Sequence, residues 1–388
     1  METCIIGWAH LPFGRREGEN VENLIVQAAG QAIAHADLAV EEIDEIFLGH
    51  FNAGLSEQDF TSSLVLQTDQ RLRFRSATRV ENACATGSAA VHAAIRSIGS
   101  KRARCVLVVG AEHMSSNSAP AVAKALLRAS YLKEEVDQKA GFAGIFAQIA
   151  SSYFQTYGDQ SDALAMIAAK NHHNGVDNPY AHIRKDLGYE FCRFTSESNP
   201  LVADPLKRTD CAPVSDGAAA LVMVSAEQAR SRPRAIAFRG ISHVQDFLPL
   251  SRRDILEFEG CALAWSRALA EARIALSNLS FVETHDCFTI AELLEYEAMG
   301  LAKKGRGADV IKDGLTHRTG RLPVNPSGGL KAKGHPIGAT GVSMHVLAAM
   351  QLSGEAEGMQ VPGASLGGVF NMGGTAVANY VSVLERVR

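Results

Sequence analysis

The 388-residue sequence predicts a layered α/β protein made of two similar halves. Short apolar runs that suit buried strands alternate with helical patterns along the chain, which is the order of elements in β-α-β units. In addition, two segments of the second half resemble two segments of the first in composition. We place the boundary between the halves near residue 235, which gives the ranges 1–234 and 235–388.

The first half is predicted to alternate strands with helices. In order, the pattern predicts a strand over Cys4–Trp8, a helix over Val21–His35, a strand over Glu45–Leu48, a helix of small residues from Gly87 and a strand over Cys105–Gly110. The Val-Leu-Val-Val run of the last strand suits burial on both faces. Residues from about 115 to 210 fit the alternation poorly and carry many polar and aromatic side chains. We expect them to form an inserted lobe that covers the substrate.

The second half is predicted to begin with a strand over Ala235–Ile241. Ala85–Gly87, which precedes a helix of small residues, is repeated as Ala339–Gly341 before another such helix. Asp216–Val222 and Gly373–Ala378 are both predicted to be glycine turns that enter apolar strands. Chance similarity between segments rich in alanine and glycine is the alternative, but the new strand near residue 235 favours two related halves.

The bulk composition excludes some classes of partner. With 46% hydrophobic and 21% charged residues, the chain resembles an average soluble globular protein. Its 38 basic and 42 acidic side chains give a net charge of −4, which argues against a nucleic-acid partner. No stretch approaches the roughly 18 apolar residues that span a bilayer, so we expect no membrane partner.

Cysteine usage and the chain ends predict a cytoplasmic protein. The seven cysteines are scattered and form no CxxC pair, and an odd number cannot all pair within one chain. This pattern favours free thiols in a reducing compartment. The start leads straight into a strand-like run without the layout of a signal peptide, and the end lacks a peroxisomal Ser-Lys-Leu address.

Cys84 is the first candidate for covalent chemistry. It lies in Val80–Ser88, between a strand-like approach and the start of a helix. The helix dipole and the unpaired amide groups at such a start favour the thiolate form of a cysteine. The small neighbours Ala83 and Ala85 leave room for an acyl group. A buried cysteine that only packs the helix start is the alternative.

Ser327–Gly341 is the most distinctive stretch of the chain, and it contains His335. Pro336 biases His335 towards extended geometry, and the surrounding glycines predict a loop that leads into a helix. We therefore expect an imidazole at a helix start, in a position that repeats that of Cys84. A cysteine and a histidine from two such loops make a base-activated nucleophile, so we expect their side chains to lie within a few ångströms.

The third candidate segment is His285–Phe288, which follows a strand-like run and precedes a helix predicted over Ile290–Leu301. A His-x-Cys pair suggests a metal site, but no second ligand pair occurs at zinc spacing, so we expect no metal. Cys287 is either a thiol that acts as general acid and base or a plain loop cysteine. The residues leave both interpretations open.

Other patterns receive a structural interpretation. Gly363–Gly367 matches GxSxG, but no aspartate or histidine follows Ser365, which excludes a serine hydrolase. The adjacent His172 and His173 are expected on the surface of the lobe. Four basic residues are candidates for CoA phosphates, although solvated surface charge is preferred for most of them: Lys207, Arg208, Lys331 and Lys333.

Five segments, taken together, resemble the thiolase superfamily and within it the sterol-carrier-protein type of thiolase. They are Glu81–Ser88, Lys170–Ala181, Ser215–Ala219, His285–Phe288 and Gly334–Gly341. They occur in the family's order and span nearly the whole chain. The resemblance implies a five-layered αβαβα fold of two similar halves, with the lobe in the first half, assembled as a homodimer or a dimer of dimers. It also implies lipid metabolism with acyl-CoA and CoA as substrates and without a permanently bound cofactor.

The resemblance further implies a mechanism. Cys84, activated by His335, attacks a 3-ketoacyl-CoA and releases acetyl-CoA as an enolate, after which CoA takes the acyl group from Cys84; the reverse reaction joins two acetyl-CoA molecules. His285 and His335 are expected to donate hydrogen bonds to the thioester oxygen. Three further residues are expected to bind substrate or the oxyanion: Phe288, Met372 and Gly373.

The C-terminal loop departs from the pattern of the better-known thiolases. They carry an acid/base cysteine there, whereas Val369–Gly374 has none, so Cys287 must move the proton. Two other functions stay open. One is a decarboxylating ketosynthase, which the Cys287 loop argues against. The other is a scaffold or condensing subunit that is active only with a small OB-fold partner.

Overall fold

The structure, a computed structural model, describes residues 3–138 and 140–387. The strands in this part of the chain are β1 (Thr3–His10), β2 (Glu45–Gly49), β3 (Ser76–Val80), β4 (Cys105–Glu112), β5 (Leu201–Ala203), β6 (Leu206–Lys207), β7 (Gly217–Ser225), β8 (Ile236–Gln245), β9 (Phe281–Glu283), β10 (Leu366–Gly373) and β11 (Ala378–Arg386). The helices are α1 (Val21–His35), α2 (Thr86–Gly99), α3 (Ala119–Leu127), α4 (Leu132–Glu135), α5 (Phe142–Tyr157), α6 (Ser161–Val176), α7 (Gly188–Arg193), α8 (Ala226–Ala229), α9 (Glu259–Ala272), α10 (Thr289–Ala298), α11 (Gly307–Lys312), α12 (Gly329–Lys333) and α13 (Ile337–Ser353). None of these helices has the length and apolar character that a membrane crossing requires.

Nine strands form one mixed sheet in the order β3-β2-β4-β7-β1-β8-β11-β10-β9. Strands β1 and β8 pair only through Cys4 with Ala237 and Ile5 with Ile236. In contrast, β8 and β11 pair along nearly their whole length. The sheet therefore consists of a first block, β3 to β1, and a second block, β8 to β9, joined by a short seam.

The helices form three layers around the two sheet blocks. Helix α1 packs on β1, β4 and β7 of the first block, and α9 packs on β8 and β11 of the second. Helices α2 and α13 pack against each other, and α13 contacts strands of both blocks. The order of layers is thus α1, first block, α2 with α13, second block and α9, which is the predicted αβαβα arrangement.

The two central helices cross where both starts contain glycine. A Cβ on Gly87 would lie 2.7 Å from the backbone nitrogen of Gly341, and a Cβ on Gly341 would lie 2.1 Å from that of Ser88. Real Cβ atoms do not approach the backbone this closely, so glycine is required at both positions. Helix α13 is buried from Ile337 to Leu352, as expected of a helix with packed neighbours on all sides.

Local sequence signals explain where several elements begin and end. Helix α1 has the predicted bounds, since the side chain of Asn20 caps it by accepting from the Asn23 backbone nitrogen. Helix α10 ends at Ala298, three residues before the predicted Leu301, because Gly300 adopts a left-handed φ of 91°. The predicted strand at residue 235 is β8, which continues to Gln245.

The segment expected to form the lobe contains α3 to α7 and the β5–β6 hairpin. Its helix α6 packs against α10, α11 and α12 of the second half. This packing brings the lobe onto the two segments that precede His335 and follow His285. That the lobe covers the substrate stays a prediction.

Candidate active site

Cys84 lies at the turn that enters α2. The preceding Ala83 has a left-handed φ of 50°, which is strained for a residue with a side chain and holds the turn in a narrow conformation. The thiol is buried and packs among apolar residues that include Phe51, Met114 and Ile337. The predicted position at a helix start is confirmed.

The expectation that the helix start keeps Cys84 as a thiolate is wrong, because the group is a protonated thiol near pH 7. Burial raises the pKa of the thiol to about 12, while hydrogen bonds from the backbone of Gly374 and of Cys84 itself oppose this rise. The cost of removing the thiolate from water is thus larger than the stabilisation that the start of the helix gives it. Cys84 consequently needs a base to become a nucleophile.

His335 is suited to be that base. Its Nδ1 lies 2.7 Å from the Thr340 hydroxyl oxygen, which itself lies 2.9 Å from the carbonyl oxygen of Pro336. Because a carbonyl oxygen can only accept, the hydroxyl donates to Pro336, and the ring Nδ1 must donate to the hydroxyl. The Nε2 atom of His335 is left with a lone pair, is buried, and has no partner in the described part of the chain.

The protonation of His335 agrees with this assignment. Burial, and then the charge of nearby Lys333, lower the pKa of the imidazole to about 3. The ring is therefore neutral near pH 7 and can accept a proton. Glu112 holds the start of α13, which follows His335. Its carboxylate accepts from the backbone nitrogens of Gly338 and Phe51 and so joins α13 to the loop after β2.

Cys84, His285 and His335 meet in one buried group. The Cys84 Sγ and one ring nitrogen of each histidine all lie within 4.8 Å of one another. The two imidazoles are 5.0 Å apart between ring centres and nearly perpendicular, at 82°. The prediction that Cys84 and His335 come together across about 250 residues is confirmed.

The same group is a sulfur and nitrogen donor set of the kind that zinc uses. Within residues 3–138 and 140–387, no fourth histidine, cysteine or carboxylate joins it. Three protein ligands and an open position would suit a catalytic ion. The expectation that the site holds no metal therefore stays a prediction, to be tested by metal analysis.

His285 follows β9 and is wholly buried. Its Nδ1 lies 2.8 Å from Nδ2 of Asn371 on β10, and its Nε2 has no partner among the residues described. Burial, followed by the charges of His335 and Lys333, lowers the pKa of His285 well below its usual value. This ring is also neutral near pH 7.

Asp286 joins the two histidine loops. Its carboxylate accepts from the backbone nitrogens of Leu330, at 2.6 Å, and Lys331, at 3.1 Å, in the short helix α12 just before His335. The Asn171 side chain on α6 donates to the same carboxylate at 2.7 Å. The aspartate thus fixes the spacing between the loop of His285 and the loop of His335.

Cys287 lies beside the group of three without being part of it. It is buried, and burial raises its pKa well above the usual value, with nearby Cys84 contributing in the same direction. The ring of the following Phe288 stacks on Phe146 of α5, with 4.4 Å between ring centres. Phe288 therefore fastens this loop to the lobe.

The C-terminal loop reaches the turn of Cys84 through two glycines. Met372 is buried in the core. A Cβ on Gly373 would lie 2.5 Å from the Asn82 carbonyl oxygen, so glycine lets the end of β10 touch the nucleophile turn. The backbone of the following Gly374 lowers the pKa of the Cys84 thiol, against the larger effect of burial. Gly374 was not singled out beside Gly373 because two adjacent glycines offer the sequence no way to choose between their amides.

The basic residues assigned to CoA phosphates or to solvated surface are mostly neither. Lys207, Lys331 and Lys333 are buried, and only Arg208 is exposed. The ammonium of Lys333 donates to the Ser343 hydroxyl at 3.0 Å, and burial lowers its pKa to about 8. The glycines that suggested an exposed loop instead permit close packing.

The histidine pair of α6 is also only partly as expected. His173 is exposed and lies 2.8 Å from Asp186. His172 is buried, and burial lowers its pKa to about 3. The expectation of a surface position is therefore wrong for His172, because adjacent residues on a helix point in different directions and this one faces the interior.

Comparison with known proteins agrees with the fold. Residues 3–227 match the model of the thiolase N-terminal domain, and residues 243–386 match the thiolase C-terminal domain-like model. The chain is 34% identical to a protein named acetyl-CoA acetyltransferase from Methanothermobacter thermautotrophicus, covering 99% of this chain and 100% of that one. It is 29% identical to sterol carrier protein 2 of Oryctolagus cuniculus, covering 93% of this chain and 67% of that one.

A solved structure described as an Ltp2-ChsH2(DUF35) aldolase superposes with a TM-score of 0.84 at 23% identity, covering 100% of this chain and 98% of that chain. These matches define an enzyme class, the acyltransferases of the thiolase fold. The chain belongs to the thiolase family, with both of its domains.

Proposed function

We propose that the protein is a CoA-dependent thiolase in which Cys84 carries the acyl group as a thioester. The observation that carries the proposal is that Nε2 of His335 has no hydrogen-bond partner among the described residues and lies in a buried group with Cys84 and His285. A thiol with a raised pKa beside a neutral imidazole with a free lone pair is a nucleophile with its base.

In the thiolysis direction, His335 Nε2 takes the proton from Cys84, and the thiolate attacks the ketone carbon of a 3-ketoacyl-CoA. The bond between that carbon and the neighbouring methylene carbon breaks, and acetyl-CoA leaves as an enolate that takes the proton of the Cys287 thiol. The Cys287 thiolate then takes the proton of the CoA thiol, which attacks the acyl-cysteine, and the released sulfur of Cys84 takes its proton back from His335. The reverse sequence joins two acetyl-CoA molecules, which agrees with the name of the archaeal relative.

We assign the developing oxygen charges to two sets of donors. His285, and His335 once protonated, serve the thioester oxygen of the departing acetyl-CoA. The Cys84 amide and a backbone amide of Gly373 or Gly374 serve the tetrahedral intermediate, which is supported by the close approach of Gly373 to the turn of Cys84 and by the lowering effect of the Gly374 backbone on the pKa of the thiol. Phe288 and Met372 are proposed to line the substrate site beside them.

Acylation of Cys84 is tested directly. Incubation with acetyl-CoA, followed by intact-protein and peptide mass spectrometry, should place one acetyl group on Cys84. Cys84→Ala should abolish the label. The matched control Cys261→Ala removes another buried thiol, on α9, and should keep it. Acetyl on a cysteine other than Cys84 in the wild-type protein would refute the assignment.

Cys287 is proposed to move the substrate proton. When acetyl-CoA acylates Cys84, the departing CoA thiolate takes the proton of Cys287, which is the neighbouring thiol that Cys84 influences. The resulting Cys287 thiolate then deprotonates the methyl group of the second acetyl-CoA. Cys287→Ser should still become acylated at Cys84 but should lose exchange of the methyl protons with deuterated solvent. The exchange is monitored by NMR. Full exchange of the methyl protons in Cys287→Ser would assign the base to another residue.

A second function is favoured by one comparison. The superposed Ltp2-ChsH2(DUF35) structure is a complex, and this chain covers 98% of its matched chain. We propose as the alternative that this protein needs a small OB-fold partner to complete turnover. The isolated chain, given acetoacetyl-CoA and CoA, would then consume only the acetoacetyl-CoA that acylates Cys84 once, and added partner would restore continued turnover.

We further infer a cytoplasmic homodimer in lipid metabolism, with acyl-CoA and CoA as its ligands and no resident cofactor. Seven free cysteines, six of them buried, support a reducing compartment. Light scattering after size-exclusion chromatography tests the assembly, and a monomer at micromolar concentration would contradict the dimer.

A further inference from the structure

Asn371 lies between the nucleophile and one of the two active-site histidines. The side chain is wholly buried on β10. Its Nδ2 donates to the carbonyl oxygen of Cys84 at 3.1 Å and lies 2.8 Å from Nδ1 of His285. No proposed chemical step uses this amide, and it cannot titrate.

The orientation of the Asn371 amide follows from its partners. The carbonyl oxygen of Cys84 can only accept, so the NH₂ end of the amide must face it. The second hydrogen of that NH₂ group then points at His285 Nδ1, which has to accept. A neutral imidazole that accepts at Nδ1 carries its proton on Nε2. That Nε2 is buried and has no partner in the described chain.

The other histidine of the site, His335, is held in the opposite tautomer. Thr340 requires His335 to donate from Nδ1, which leaves Nε2 of His335 as an acceptor. Two neutral imidazoles whose centres are 5.0 Å apart therefore present opposite groups, one N–H and one lone pair. Their hydrogen-bonding roles cannot be exchanged while Asn371 and Thr340 are in place.

We propose that Asn371 is a positioning residue that fixes His285 as its Nε2–H tautomer and so makes it a hydrogen-bond donor to the substrate oxygen and excludes it as a base. This inference rests on the proposed acyl transfer for its catalytic meaning. With the other tautomer, a lone pair would face the oxygen on which negative charge develops. A single donor to such a charge contributes about 10²-fold to 10³-fold in kcat.

The tautomer is measured on the free protein by nitrogen NMR of isotope-labelled histidines, with the His285 signals identified from their loss in His285→Gln. The wild-type spectrum should show a protonated Nε2 and an unprotonated Nδ1. In Asn371→Asp, carboxylate oxygens can only accept, so His285 should become protonated at Nδ1. In Asn371→Leu, which is close in size, both hydrogen bonds are lost and the two tautomers should mix.

Turnover gives the second readout. Both variants should lower kcat about 100-fold while leaving KM within about threefold, since the lost interaction forms in the transition state. The matched control is Asn199→Leu, which removes another buried amide that donates to the carbonyl oxygens of Phe191 and Phe194. The control should keep the wild-type His285 signals even where it costs stability.

Two results overturn the proposal: a wild-type His285 protonated at Nδ1, or unchanged His285 signals in Asn371→Asp and Asn371→Leu. If one variant does not fold, the wild-type spectrum and the other variant still decide. The spectra need no substrate. A wild-type protein without acyl transfer would therefore refute the proposed function while leaving the tautomer result intact.

Discussion

The first turns of α2 and α13 share a short sequence, but the shared threonine holds a different group in each helix. Ala-Thr-Gly occurs at Ala85–Gly87, where α2 begins, and at Ala339–Gly341, in the first turns of α13. The two glycines, Gly87 and Gly341, touch at the helix crossing. In α2 the threonine hydroxyl of Thr86 accepts from the backbone nitrogen of Asn82 at 2.9 Å, which closes the turn around Cys84. In α13 the hydroxyl of Thr340 holds the ring of His335.

The difference comes from what precedes each motif. Cys84 is two residues before its threonine, so the hydroxyl can only fasten the backbone of the turn. His335 is five residues before its threonine, and Pro336 between them supplies a carbonyl oxygen that takes the hydroxyl proton. One local motif thus positions the proposed nucleophile in one helix and the proposed base in the other. Substitutions at matched positions can separate these uses.

The largest effect is expected at the helix crossing. Gly341→Ala places a methyl group against the Ser88 backbone and should lower the free energy of unfolding by about 3 kcal/mol. Gly30→Ala, in α1, is the control, because its Cβ would meet only the Thr68 methyl at 3.6 Å. That control should stabilise the protein by up to about 1 kcal/mol. Equal effects of the two substitutions in urea unfolding would contradict the tight crossing.

The base is the next most sensitive position. His335→Ala should lower turnover at least about 100-fold, since the residue is assigned both proton transfer and charge stabilisation. Its control, His345→Ala, removes another buried histidine of α13, one that bonds Ser382 at 2.9 Å. The control should lose stability while keeping turnover per folded molecule. Near-normal turnover of His335→Ala would remove the support for its pairing with Cys84.

The two threonines sharpen the comparison. Thr340→Val should lower kcat about tenfold, because the base is still present but its ring is no longer held in one tautomer. Thr86→Val leaves the Asn82 nitrogen unpaired and should cost about 1 kcal/mol of stability, with a smaller effect on kcat. Steady-state kinetics and urea unfolding of both variants give the answer. Equal changes in kcat and in stability for the two variants would mean that the threonine has the same role in both helices.

The smallest effect is a pH dependence of stability. Burial lowers the pKa of His345 from 6.5 to about 4, so the folded state binds fewer protons than the unfolded chain at acid pH. Its contribution is intact above about pH 6.5 and is lost as the pH falls towards 4. His345→Gln should therefore reduce the loss of stability between pH 7 and 5.5 by about 1 kcal/mol. Identical pH dependence in urea unfolding of both proteins would contradict a neutral buried ring.

Elements whose signals are local could be predicted from the sequence. The bounds of α1 follow from its apolar spacing and the Asn20 cap, and the buried strand β4 follows from its apolar run. The meeting of Cys84 with His335 was predictable because the repeated Ala-Thr-Gly motif marks related positions. The signals for all of these features lie within a few residues of the elements themselves.

What the sequence could not reveal depends on partners that are distant in the chain. Asn371 touches Cys84 and His285 only because β10 runs beside the start of α2 and the end of β9. The helix start at Cys84 was visible, but the desolvation that reverses its effect on the pKa was not. The burial of Lys333 likewise depends on distant partners, since its ammonium donates to Ser343 on α13 and lies 5.9 Å from the ring centre of Phe13.

The short seam between the sheet blocks has a consequence for how activity arises. The first half supplies Cys84, whereas the second supplies both imidazoles and the amide of Asn371, so neither half alone contains a working set of groups. Among the described residues, two residue pairs join the blocks through the sheet, and the crossing of α2 and α13, together with the packing of α6 on the second half, supplies further contacts that align the halves. Activity therefore requires that the two halves associate. Two fragments divided near residue 230 would each be inactive, and activity would appear at the rate at which they bind each other.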